Sequence, residues 1–183
     1  MDRVDVSAKA GEPGSRAKLR VAGVLAALLL GQTGVSLAQQ PPRIPNTYNE
    51  YVNRGYGYSI CYPDYIFVPQ GENVAGDGQL FRAGDGAELR VRASYNVPFR
   101  TIQDEFKDMA AEESRSGNVT FKQQEGDWFV VSGIVGSKIF YRKTRLVGDI
   151  FITFRALYPG TASGFYAEVV TVLAQCLKTA KAN

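Results

Sequence analysis

Four runs of strand-forming residues follow one another with almost nothing between them: Val119 to Gln124, Asp127 to Ile134, Lys138 to Leu146 and Ile150 to Tyr158. Their connections are Glu125-Gly126, Val135-Gly136-Ser137 and Val147-Gly148-Asp149. A parallel return needs a crossover of a dozen or more residues, so strands joined this closely pair antiparallel. The aromatic residues of the runs (Phe121, Trp128, Phe129, Phe140, Tyr141, Phe151, Phe154, Tyr158) fall at strand alternation. That placement reads as core and strand propensity rather than as a ligand box.

Around this meander the pattern changes period. Tyr56 to Tyr62 reads as a first strand closed by Pro63-Asp64. Gln79 to Arg82 and Ala87 to Ala93 read as a hairpin turned at Gly84-Asp85-Gly86. Leu89-Arg90-Val91-Arg92-Ala93 alternates cleanly, so one face of that strand is wet or paired with acidic groups. Thr101 caps a helix with Asp104 three residues on, and Ile102, Phe106, Met109 and Ala110 form its apolar stripe. Gly117 stops it. Its other face is acidic, with Asp104, Glu105, Asp108, Glu112 and Glu113. After Pro159-Gly160, the residues Phe165, Val169, Val172, Leu173, Cys176 and Leu177 lie at helical spacing on one stripe. Strands clustered between two amphipathic helices predict an α+β fold, an antiparallel sheet with helices on its faces.

The first segment reads differently. Arg16, Lys18 and Arg20 precede an uncharged apolar run, Val21 to Gly31, and Ser36-Leu37-Ala38 places small residues before a cut after Ala38. That is the plan of a secretory signal peptide over 1–38. The rival, a membrane anchor, needs about 20 apolar residues. Residues 39–53, which open on Gln39 to Asn46 with three prolines, read as a flexible tether, and 54–183 as one domain. From Gln39 onward the chain holds 16 basic and 15 acidic residues. The processed chain is near neutral, which argues against a nucleic-acid protein. The cluster Arg142-Lys143-Thr144-Arg145 reads as the solvated side of a strand.

An exported chain with two cysteines invites a disulfide. Cys61 shares a small-residue strand face with Gly57 and Ser59, and Cys176 lies on the apolar stripe of the last helix. Each faces the place where the other element should pack, and a Cys61–Cys176 bond is expected. The alternative is a pair of buried free thiols. A redox-active thiol is the weakest reading, since no Cys-x-x-Cys pair and no histidine is present.

The segments Tyr56 to Pro63 (YGYSICYP), Gly76 to Phe81 (GDGQLF), Asp85 to Val91 (DGAELRV) and the meander through Pro159 together resemble small exported bacterial proteins. Those are similar to the fold shared by the photosystem II extrinsic subunit PsbP and a Ran-binding nuclear import factor. The resemblance spans Tyr56 to Leu177. It implies an α/β/α sandwich around an antiparallel sheet and a binding or assembly role, with no common activity and no functional residue to carry over.

The chain contains no histidine. Ser-His-Asp and Cys-His catalysis and histidine-ligated metal sites are therefore excluded. Glu72, Asp77, Asp85 and Glu88 surround Asp-Gly turns but lack calcium-loop spacing, so turn chemistry is the expectation. Gly31 to Leu37 lacks the Gly-Lys-Ser/Thr of a phosphate loop. Glu112-Glu113 and Asp104-Glu105 read as a solvated acidic face. The expectation is a non-catalytic periplasmic or secreted module that recognises a protein or envelope component, with no cofactor, no metal, no nucleic acid and no stable membrane span after processing. Two alternatives stand beside it: a small histidine-free hydrolase using paired carboxylates, and an immunity or chaperone-like partner of a secreted effector.

Overall fold

The computed structural model describes residues 47–97 and 99–179. Ten strands and two helices follow in the order β1 (Tyr48–Asn53), β2 (Tyr58–Pro63), β3 (Val68–Glu72), β4 (Gly78–Arg82), β5 (Glu88–Tyr95), α1 (Ile102–Ser116), β6 (Asn118–Glu125), β7 (Trp128–Val135), β8 (Lys138–Val147), β9 (Ile150–Pro159), α2 (Ser163–Cys176) and β10 (Lys178–Thr179). The α+β character and the order of hairpin, helix, meander and helix agree with the sequence reading.

The meander closes through two-residue turns, with Glu125 opposite Trp128, Val135 opposite Lys138 and Val147 opposite Ile150. Gly126, Gly136 and Gly148 stand first in these turns at φ 52°, 58° and 59°. Positive φ there matches the twist of the flanking strands and suits glycine. Helix α1 starts as expected: the Asp104 amide donates to Thr101 Oγ1 at 3.1 Å, and the Thr101 amide donates back to Asp104 Oδ2 at 3.3 Å.

Seven strands form one antiparallel sheet in the order β3-β4-β5-β9-β8-β7-β6. The chain leaves β5 through α1, enters the far edge at β6, and the meander returns to pair β9 with β5. Alternate residues of β8 and β9 then divide between two apolar clusters. Tyr141, Ile152, Phe154, Ala156 and Tyr158 pack with Ile60, Tyr166, Val169 and Leu173 of β2 and α2. Phe140, Leu146, Phe151 and Leu157 pack with Ile102, Phe106 and Met109 of α1.

Three expectations need correction. Residues 48–53 are not tether: Tyr51 and Asn53 are buried, and the segment pairs with β2. Asn53 is tolerated inside because its amide donates to Tyr51 Oη and to the Gly76 carbonyl, while its Oδ1 accepts from the Tyr56 amide. Pro69 to Gly78, where the sequence pattern marks no element, is half strand, because β3 pairs with β4 across a register shift. Finally, there are two sheets rather than one, since β1, β2 and β10 form a separate three-stranded sheet. The proposed signal peptide over 1–38 and the tether segment 39–46 lie outside the described residues.

Cys61 and Cys176 are joined by a disulfide, with Cα atoms 5.8 Å apart. It ties β2 to the end of α2, and the chain beyond Leu177 then pairs Lys178 and Thr179 with Ser59 and Tyr58.

Candidate functional site

Strand alternation puts the even-numbered residues of β5 and β8, and the odd-numbered residues of β9, on the α1 side of the large sheet. Register aligns three of them. Arg90 stands opposite Arg155, and Arg155 stands opposite Arg142. The row is flanked by Leu80 on β4 and Val131 on β7. One step along β5, Arg92 faces Thr153. Like charges directly opposite each other weaken a sheet, so three guanidiniums abreast demand compensation.

Helix α1 supplies it from its last turn. Glu113 falls on the same stripe as Phe106, Met109 and Ala110, and is buried with only 4% exposure. Arg155 grips it with two parallel bonds, Nε to Oε1 at 2.7 Å and Nη2 to Oε2 at 3.0 Å. Arg142 Nη1 donates to Glu113 Oε1 at 3.3 Å and to Glu112 Oε2 at 3.1 Å. Fork-to-fork pairs of this kind are the strong class of charged hydrogen bond. Burial alone would raise the Glu113 pKa, but the bonds from Arg155 and the charge of both guanidiniums outweigh it and hold the carboxyl below its usual value. The Arg155 guanidinium also lies 5.3 Å from the centre of the Phe140 ring.

The groups enclose an open cleft of ≈ 270 Å³, lined by these four arginines together with Glu112, Glu113, Ser116 and Thr153. Two features stand out. Among the described residues, Arg90 and Arg92 have no carboxylate within ion-pair distance. Arg142 is 4% exposed, yet its Nε has no hydrogen-bond partner. A neighbouring cleft of ≈ 400 Å³, bounded by Gln70 to Asn73 and by Asp77 to Leu80, shares Arg90 and Arg92 as its wall.

The sequence reading misplaced two residues of this site, Arg142 and Glu113. Arg142 is inward, not solvated, because it alternates with Phe140 and Thr144, which are buried on the same face. Only Arg145 of that basic cluster fits the expectation: it is part exposed and pairs with Asp127 at 2.8 Å. Lys143 points to the opposite face, where it donates to the Ala174 carbonyl at 3.2 Å and lies over the Trp128 ring. Glu113 is likewise not part of a wet acidic face. Its signal was present as the next position on the α1 stripe. Glu105 and Asp108 of that face pair with Arg100. The wet-or-paired face read for Arg90 and Arg92 is the cleft floor.

The remaining candidates are engaged separately. Glu72 accepts from Tyr51 Oη at 2.7 Å, Asp77 from the Asn73 amide, and Asp85 from Tyr166 Oη at 2.8 Å, while Glu88 pairs with Arg82. No group of three His, Cys, Asp or Glu placed to hold a metal ion occurs among the described residues. Nor is any helix there long and apolar enough to cross a membrane.

No family model matches the chain, and no curated protein matches it. Solved structures do. The solution structure of cyanobacterial PsbP (CyanoP) from Synechocystis sp. PCC 6803 aligns with a TM-score of 0.56 at 14% identity, covering 78% of this chain and 98% of that one. The Ran-binding protein Mog1p of Saccharomyces cerevisiae aligns with a TM-score of 0.50 at 8% identity, covering 73% and 96%. A mutant of Mog1 gives the same values. At these identities the likeness is one of fold, and the resemblance read from the sequence holds at that level.

Proposed function

We propose that this chain, which shares the fold of PsbP and of the Ran-binding protein Mog1p, is a non-catalytic binding module that recognises a protein or envelope component. One observation carries the reading. Both carboxylates of the arginine cleft are bound to guanidiniums, and the groups left free among the described residues, Arg90, Arg92 and Arg142 Nε, are donors only. Such an arrangement holds a ligand but does not activate a nucleophile. The hydrolase alternative needs one carboxyl that keeps its proton near neutral pH, and the arginines push Glu113 the other way. The layered description, with helices on both faces of the large sheet, belongs to this same reading, as does a partner role toward a secreted effector.

Export belongs to it too. A disulfide persists in oxidising compartments, and the leader pattern over 1–38 supports a periplasmic or secreted product that begins at Gln39. Sequencing the N-terminus of the chain recovered from cells tests this; an intact leader on a cytosolic chain overturns it. The binding reading is tested by cross-linked capture from an envelope extract, with untagged protein as competitor. A reproducible, competed partner is expected, and the reading falls if repeated captures recover none.

A further inference from the structure

We infer that the cleft between the C-terminal turn of α1 and the β5-β9-β8 rows is an oxyanion site that takes a doubly charged group, a phosphate or a pair of carboxylates. The inference rests on the binding-module reading and names its ligand chemistry. Four guanidiniums and two carboxylates line the cleft, so two positive charges stand uncompensated inside it. Glu113 neutralises the Arg155 and Arg142 end of the cross-strand row, while Arg90, directly opposite Arg155, and Arg92 beside it have no counter-charge among the described residues.

A second, independent observation points the same way. The Arg142 Nε donor is buried and has no hydrogen-bond partner among the described residues. Native proteins almost always satisfy such atoms, because an unmade buried bond costs the whole desolvation of the group. An oxygen of an anion seated in the cleft would supply that bond while Arg90 and Arg92 close on the other oxygens. Arginine forks match both phosphate and carboxylate geometry. Thr153, also on the cleft wall, does not compete for the role: its hydroxyl is paired with that of Thr144 at 2.9 Å. Glu112, whose side chain is half exposed and which pairs only with Arg142 among the described residues, is the group an incoming anion displaces.

The test is a titration of the full protein with inorganic phosphate and, separately, with succinate at fixed ionic strength, read from the arginine Nε–H resonances by NMR. Saturable one-site shifts that include the Arg142 Nε–H are expected. A response to phosphate alone assigns a phosphate group, and a response to succinate alone assigns paired carboxylates. In the Arg90→Gln, Arg92→Gln double variant the affinity should fall at least tenfold. Both residues are exposed and make no ion pair among the described residues, so this variant should fold. Arg145→Gln, outside the cleft, should bind as the parent does. No saturable shift with either anion, or equal affinity in the double variant, overturns the site. Capture of the same partner by parent and double variant alike keeps the binding-module reading and removes the cleft from it. Saturable anion binding without any captured partner does the reverse.

Discussion

Glu113 is one carboxylate shared by two arginines, and its environment sets the sign of several effects. Removing one member of a buried ionic group leaves the others charged and unpaired, which costs about 3–5 kcal/mol. Glu113→Gln should lose that much, measured by urea denaturation at neutral pH. The acid limb follows from the same pairing. The folded pKa is depressed below the ordinary 4.5. Its stabilising contribution is therefore complete above the unfolded value and is lost as pH falls through the folded one. Stability measured downward from pH 5 should drop more steeply in the parent than in Glu113→Gln, and parallel curves would refute the assignment. This residue was legible in principle, because it continues the spacing of Phe106, Met109 and Ala110. It was obscured because adjacent acids on an amphipathic helix usually mark the wet side, and only register across β5, β9 and β8 reveals what Glu113 meets.

At the scale of elements, the sequence resolves what has a strong period or a local cap. The meander strands differ from their expected bounds by a residue, and the α1 boundary follows from Thr101 and Asp104. Thr101→Ala removes the hydroxyl that accepts from the Asp104 amide and bonds Asp104 Oδ2 and should cost about 1 kcal/mol, read as a lowered melting temperature with unchanged oligomeric state. A further check is Gly133 in β7. A side chain there would meet the Asn118 carbonyl oxygen at 2.1 Å and the Phe140 ring at 2.9 Å. Gly133→Val should therefore displace β6 and disrupt the α1 cluster, visible as lost amide protection in Asn118–Glu125. The strands that escaped the sequence reading are the ones without a period to detect. Strand β3 is exposed along its whole length, β10 is two residues long, and β1 opens on Tyr48-Asn49-Glu50 beside a proline-rich segment. Edge strands of this kind are polar and short because a long apolar edge invites pairing between molecules.

For the whole molecule, the Cys61–Cys176 bond is the main covalent constraint, spanning 115 positions. Chain-entropy reasoning gives a loop of this size a stabilisation near 5 kcal/mol, and measured removals run about 2–5 kcal/mol. The Cys61→Ala, Cys176→Ala double variant should lose a few kcal/mol in denaturant, and a change below about 1 kcal/mol would mean the packing of α2 on β2 suffices alone. The pairing was legible because only two cysteines exist and each sits on an element with one apolar face. The division into two sheets was not, since it depends on which edges the first and last strands find.

Strand β2 lies between β1 and β10, so the small sheet is assembled from the opening and the closing residues of the domain. A ribosome delivers the first of those residues well before the last. The β1–β2 hairpin must wait for its third strand until Lys178 and Thr179 have emerged, and Cys61 waits as a lone thiol until Cys176, 115 positions later, has followed. Closure of the small sheet thus follows synthesis of every strand of the large one, and a partner that shields the unfinished hairpin would act before that moment rather than after it.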